Sequence, residues 1–233
     1  MTAAGGNWRG LRIPALTTAA MLALACYLGV WQLHRLAWKT EVLASIARAE
    51  AGPAVPLPAD PPKFAKGQVQ GKWLADAYAL YGADIGDTPA GRRMGARLIM
   101  ALQRDGGAPL LVDRGWVPIE RVDAVATPDT AVALEGYVRL PDRPGWFAAE
   151  DDPGQRRFFT LDPAAIGPSL GLPKVAPFVL VALGPRMPGV YPQPAQKLPR
   201  PANDHLAYAI TWFGLALTLV VIFLLYCRKV LRA

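Results

Sequence analysis

The sequence predicts a membrane protein of the α+β class, in which a two-helix transmembrane hairpin made of N- and C-terminal spans encloses one mainly β domain with a short helix. Three observations carry this. Two long runs are free of charge, Ile13 to Leu33 and Leu206 to Cys227. Each can cross a hydrocarbon core of roughly 30 Å at about 1.5 Å per residue. Most of the charged residues, 18% of the chain, fall between these runs, where they can clothe an independently folded unit. Within that middle stretch, apolar residues alternate with period two, and Asp105-Gly106-Gly107 separates two apolar segments, a hairpin signal. With 233 residues, 52% hydrophobic and a mean hydropathy of +0.20, the chain suits few spans and one domain.

Residues 1–12 form a tail carrying Arg9 and Arg12, and 13–33 form the first span. A secretory signal is the rival reading, because Ala23-Leu24-Ala25 resembles a cleavage site with Cys26 after it. The apolar run continues past Ala25 for longer than a signal core requires, which favours an uncleaved anchor. The helical period then persists through Leu36, Leu43, Ile46 and Ala47 until Gly52-Pro53, so the helix is expected to continue to about residue 51. Residues 52–62, with five prolines, read as an extended spacer.

The domain is expected over 63–184. Strand signals cover Lys72–Tyr81, Arg97–Gln103, Pro109–Pro118, Val132–Leu140, Arg157–Leu161 and Pro177–Leu183, consistent with a barrel-like or sandwich sheet. Asp162 followed by Pro163 predicts an N-cap and first turn, for a short helix ending near Gly171. Residues 185–204 hold six prolines and read as a second stiff spacer. Asn203-Asp204 then opens the second span, 205–227, and 228–233 form a tail with Arg228, Lys229 and Arg232. Cationic residues at both ends predict that both termini stay in the cytoplasm and the domain is extracytoplasmic.

Composition excludes several functions. The +7 net charge is scattered or set at membrane boundaries, which speaks for topology and against nucleic acid. Cys26 and Cys227 belong to apolar runs and, in an antiparallel hairpin, sit at depths of about 10 Å and more than 30 Å, so they cannot pair. The serines are Ser45 and Ser169, and both histidines lie at membrane boundaries, leaving the domain without a triad base or a thiol nucleophile. A membrane-anchored hydrolase is therefore poorly equipped. Glu150, Asp151 and Asp152 are consecutive in a loop and read as solvated acidic surface. No nucleotide-binding glycine pattern occurs.

His205 is the remaining chemical candidate. It opens the second span, and helical spacing sets Tyr208 and Trp212 on its face. One reading is a headgroup-level anchor with belt aromatics. The other is an axial ligand to haem iron, with flat apolar contacts beneath the imidazole. His34 is expected at similar depth on the first helix and is a candidate second ligand. Arg35 and Lys39 face either haem propionates or lipid phosphates, and Trp31 and Trp38 suit an interface belt.

Three segments, taken in order, carry a resemblance: Leu28-Gly29-Val30-Trp31-Gln32-Leu33-His34-Arg35-Leu36-Ala37-Trp38-Lys39, Leu111-Val112-Asp113-Arg114-Gly115-Trp116-Val117-Pro118 and His205-Leu206-Ala207-Tyr208-Ala209-Ile210-Thr211-Trp212-Phe213. Together they resemble the Surfeit-locus (Shy-type) family of cytochrome c oxidase assembly factors in its bacterial form, over nearly the whole chain. The resemblance implies a chaperone-like protein of the bacterial inner membrane, not an enzyme, with its domain in the periplasm. Its role would be respiratory-chain biogenesis: it would bind haem a transiently and assist insertion into oxidase subunit I. The implied partners are subunit I, the haem a synthesis machinery and the lipid membrane, with no other metal or nucleotide. His205 matches the histidine implicated in haem binding, and Trp212 matches the tryptophan of the same motif. Trp31, Gln32, Arg114, Gly115 and Trp116 are motif residues with structural or partner-binding roles. The resemblance assigns nothing to His34. A scaffold that steadies subunit I without ligating haem is the alternative.

Overall fold

The computed structural model describes residues 8–125, 131–146 and 148–232. Residues 1–7 of the expected tail, the Arg9 side chain and Ala233 lie outside them. The chain forms two units, one holding the terminal segments through Ser45 and from Arg200, the other Ile46–Pro199.

Among the described residues, α1 (Trp8–Ala51), whose last turns from Ile46 belong to the second unit, and α3 (His205–Arg232) are the two helices long and apolar enough to cross a membrane. The cationic segments expected as tails are helical extensions, with Pro14 accommodated inside α1 two residues after Arg12. The helices pair antiparallel: Thr40 meets Asn203, Gln32 meets His205, and Gly29 meets Phe213. On α1 the shielded positions step by four and three through Ala15, Thr18, Leu22, Ala25, Gly29, Gln32 and Leu36. Those on α3 do the same through His205, Ala209, Trp212, Ala216 and Leu219. This 3.5-residue period is that of a coiled-coil seam. Its small residues permit close approach, and a methyl group at Gly29 would stand 2.8 Å from the Phe213 ring.

The second unit is built from β1 (Val55–Pro56), β2 (Lys66–Thr88), β3 (Gly91–Gln103), β4 (Leu110–Pro118), a 3-10 turn (Ile119–Ala124), β5 (Val132–Arg139), β6 (Arg157–Phe158), α2 (Pro163–Ser169) and β7 (Val179–Ala182). The 23-residue β2 explains the architecture. Its first six residues, from Lys66 to Gly71, pair with β5, and the rest pairs with β3. β4 follows β3 across the hairpin signalled by Asp105-Gly106-Gly107, and β7 fits between β4 and β5. The ring β2–β3–β4–β7–β5 thus closes on β2, resolving the barrel-or-sandwich alternative in favour of a barrel. Val69, Leu98, Met100, Leu110, Val112, Val138, Phe178 and Leu180, from all these elements, form the interior core. Outside, α2 and β6 lay Ile166 and Phe158 over Ala79, Ile99, Leu111 and Val179. Asp162 caps α2 by accepting a hydrogen bond from the Ala164 amide at 2.9 Å.

The proline-rich return was expected to be a spacer, and it is instead part of the domain through Pro199. Prolines lack an N–H, but Gln193 and Ala195 alternate with Pro192 and Pro194 and supply the missing donors. The Gln193 amide donates to Trp116 O at 2.8 Å, the Trp116 amide donates back at 2.9 Å, and the Ala195 amide donates to Ala182 O at 3.0 Å. Likewise Val55–Pro56, in the first expected spacer, pairs with β2.

Candidate functional site

His205 is the first residue of α3, and Asp204 precedes it as N-cap, its carbonyl accepting from the Tyr208 amide at 3.2 Å. The half-buried ring turns into the seam. Its Nδ1 lies 2.7 Å from Oε1 of Gln32, which is only 8% exposed and is the one buried amide side chain of α1. The other ring nitrogen, Nε2, has no protein hydrogen bond among the described residues. Two residues upstream, Asn203 Oδ1 is also buried without a partner. Trp212 lies two turns along, nearly in line with His205, and is half-buried in the seam, while Tyr208 is 57% exposed on its flank.

The remaining candidates on α1 are placed differently. His34 is exposed and stands two residues beyond Gln32, about 200° around the helix, so the seam sets Gln32 and not His34 against His205. Arg35 stacks its guanidinium 4.5 Å from the centre of the Trp38 ring, and Lys39 Nζ lies 6.0 Å from the same ring. This is a cationic, aromatic patch one turn past the seam amide. Trp31 is exposed beside it.

In the domain, Asp113, Arg114, Gly115 and Trp116 act together. Leu98 pairs with Gly115 and Ile99 with Asp113, so Arg114 is an extra residue bulged from β4. The bulge reverses side-chain parity, and Val117 rather than Trp116 enters the barrel interior. Arg114 lies at the interior side, its guanidinium 4.9 Å from the Trp73 ring centre and donating to Met100 Sδ at 2.9 Å. Burial lowers its pKa from the usual arginine value. Gly115 has φ +123°, and a Cβ there would meet Gln193 O at 2.0 Å. Trp116, 7% exposed, lies over Gly86 and Gly95, donates Nε1–H to Asp84 O at 3.3 Å and meets the Tyr191 ring edge-on at 5.9 Å. Beneath the bulge, fully buried Asp113 accepts from Gly115 N at 3.0 Å and forms an ion pair with Arg97 Nε. Burial, the largest single influence, opposes the charge on Arg97, but the charge and hydrogen bond of Asp113, together with Tyr137 and Asp84, raise the guanidinium pKa overall. Gly115 and Trp116 are thus both engaged with the domain's own backbone and rings.

The acidic loop is occupied with its own backbone. Asp151 Oδ1 accepts from Phe159 N and Thr160 N at 2.6 and 3.0 Å, and Asp152 Oδ1 accepts from Gln155 N at 3.0 Å. Sequence reasoning did not single out Arg97 or Asp113 individually, nor Gln32 as a partner of His205. The available signal was an amide in an apolar seam, spaced three and seven residues from Gly29 and Ala25.

Among the described residues, no group of three or more His, Cys, Asp or Glu side chains could hold a bare metal ion. A single imidazole with one free nitrogen suits an iron whose remaining ligands arrive with a macrocycle, and the flanking aromatics fit such a guest. The residues present therefore fit haem as an axial site.

Comparison with known proteins gives a coherent result. The SURF1 family profile matches residues 19–217. A SURF1-like protein of Rickettsia bellii is 30% identical over 223 residues, covering 92% of this chain and 91% of its own. Surfeit locus protein 1 of Xenopus tropicalis is 26% identical over 248 residues, covering 97% and 76%, and that of Mus musculus is 27% identical over 217 residues, covering 83% and 69%.

Proposed function

The chain belongs to the SURF1 family, and from that premise we propose that it is an assembly factor for a haem-copper (cytochrome c) oxidase, binding haem a transiently and assisting its insertion into subunit I. The observation that carries this reading is His205, half-buried at the start of α3 with Nδ1 engaged and Nε2 free. When bound, haem would supply an iron able to take a further nitrogen ligand. His205 would offer that nitrogen, and Tyr208 and Trp212 would offer flat apolar contact. Arg35 and Lys39, gathered on Trp38, offer cations to the propionates. A single axial ligand at the edge of a two-helix seam, instead of a closed pocket, suits a carrier that must release its cargo.

The protein acts by holding and passing, not by catalysis. Its domain between the spans contains no histidine and no cysteine. With Arg12 before the first span and Arg228, Lys229 and Arg232 after the second, both termini face the cytoplasm of a bacterial inner membrane and the barrel faces the periplasm. There it meets subunit I and receives haem from the synthesis enzymes.

The test is an absorption spectrum of the detergent-purified protein co-expressed with the haem a synthesis enzymes, compared with His205→Ala. A haem a spectrum that is lost or shifted in the variant supports the carrier reading. Full haem stoichiometry in the variant removes His205 as ligand. A colourless wild-type protein that still supports oxidase assembly leaves the scaffold.

A further inference from the structure

Gln32 and His205 are 173 positions apart, and they meet at 2.7 Å. A neutral imidazole carries one ring proton, and the hydrogen bond made by one nitrogen decides which nitrogen holds it. An amide oxygen only accepts. With Oε1 facing Nδ1 at this distance, the contact is a hydrogen bond only when Nδ1 carries the proton, and the Nε2 lone pair is then bare. In water the neutral ring prefers the opposite arrangement, with its proton on Nε2. Gln32 is well placed to impose the reversal, since it is buried in the seam one turn from Gly29, where Phe213 closes over the backbone.

We propose that Gln32 is a positioning residue: its side-chain carbonyl holds His205 in the Nδ1–H tautomer and aims Nε2 outward as the nitrogen offered to iron. The inference rests on the reading of His205 as an axial ligand and adds the group that makes it one. A hydrogen bond at the far nitrogen fixes the orientation of a ligating histidine and increases its basicity. The arrangement also explains why a buried amide stands in a membrane seam whose other members are mostly apolar. His34, on a different flank, does not substitute for it.

The experiment uses full-length apo-protein in detergent with 15N-labelled histidine, for which only two ring systems need assignment. Wild type, Gln32→Leu and Gln32→Glu are compared, with helix content checked by circular dichroism. Wild type is expected to show protonated Nδ1 and bare Nε2 at His205. Gln32→Leu should revert toward the Nε2–H form, and Gln32→Glu, which keeps an acceptor oxygen, should retain the Nδ1–H form. Titrated with haem, Gln32→Leu should bind about 10–100-fold more weakly, with Gln32→Glu restoring the affinity.

Protonated Nε2 in the wild type, or an unchanged tautomer in Gln32→Leu, overturns the assignment. So does unaltered haem affinity in Gln32→Leu when His205→Ala abolishes binding, and in that case the carrier reading survives. Full haem binding by His205→Ala instead sinks the carrier reading itself, and the role of Gln32 with it, whatever the tautomer.

Discussion

Replacing Gly115 with alanine separates two costs that a glycine can hide. The first is backbone strain: φ +123° is strained for any residue with a Cβ, at about 1–3 kcal/mol. The second is displacement. The new Cβ would stand 2.0 Å from Gln193 O, so the return strand must retreat and the paired hydrogen bonds between Trp116 and Gln193 are lost, at about 1 kcal/mol each. Together these predict a loss of about 3–5 kcal/mol, which at roughly 3 °C per kcal/mol lowers the midpoint of the barrel's melt by about 9–15 °C. Gly91→Ala is the control, because Gly91 also has positive φ, at +96°, yet has nothing within 4 Å of a built Cβ. It carries the strain alone, about 1 kcal/mol or about 3 °C. Both variants would be followed in the full-length protein by near-ultraviolet circular dichroism, which reports the packed Trp116. Equal shifts in the two variants would refute the close-approach account, and no shift in either would refute the strain account as well.

Asp113→Ala strands Arg97 and the Gly115 amide, and should destabilise the barrel by about 3–5 kcal/mol by denaturant titration. Asp162→Ala removes a single cap bond from α2 and should cost about 1 kcal/mol in the same assay. Burial raises the phenol pKa values of Tyr81 and Tyr137 above 10.0. The folded state therefore keeps protons that the unfolded chain releases, so these tyrosines contribute stability that is intact below pH 10 and falls as pH rises above it. Unfolding titrations from pH 9 to 11 should show that decline, and tyrosinate absorbance should show the two phenols lagging behind exposed ones.

Features set by local chemistry were legible in the sequence. Uncharged runs, the Asp105-Gly106-Gly107 turn and the Asp162-Pro163 helix start are written in adjacent residues, and they reappear as α1, α3, the β3–β4 hairpin and α2. The end of β2, from Gly82 through Thr88, was hidden because glycine and aspartate interrupt its alternation, and cross-strand pairing to β3 overrides their weak strand preference. Barrel closure was hidden because Lys66–Gly71 meets Val132–Tyr137 through backbone bonds that leave little trace in side-chain pattern. For the site, His205 was marked by its position at the start of an uncharged run. Its partner was not, because Gln32 reaches it through helix pairing across the whole length of the intervening domain.

The position of β7 has a consequence for biosynthesis. It is the last strand of the ring in sequence, yet it lies between β4 and β5, parallel to one and antiparallel to the other. While the chain emerges, both neighbours have an unpaired edge until Ala182 has been made, and such edges recruit other strands. From Ala182 to His205 is a further 23 residues, so sealing of the barrel and delivery of the second apolar helix are nearly simultaneous events. A ribosome that stalls or a message that stops shortly before that point yields no smaller working protein. It yields a tethered sheet with two open, adhesive edges, the kind of product that quality-control proteases must remove.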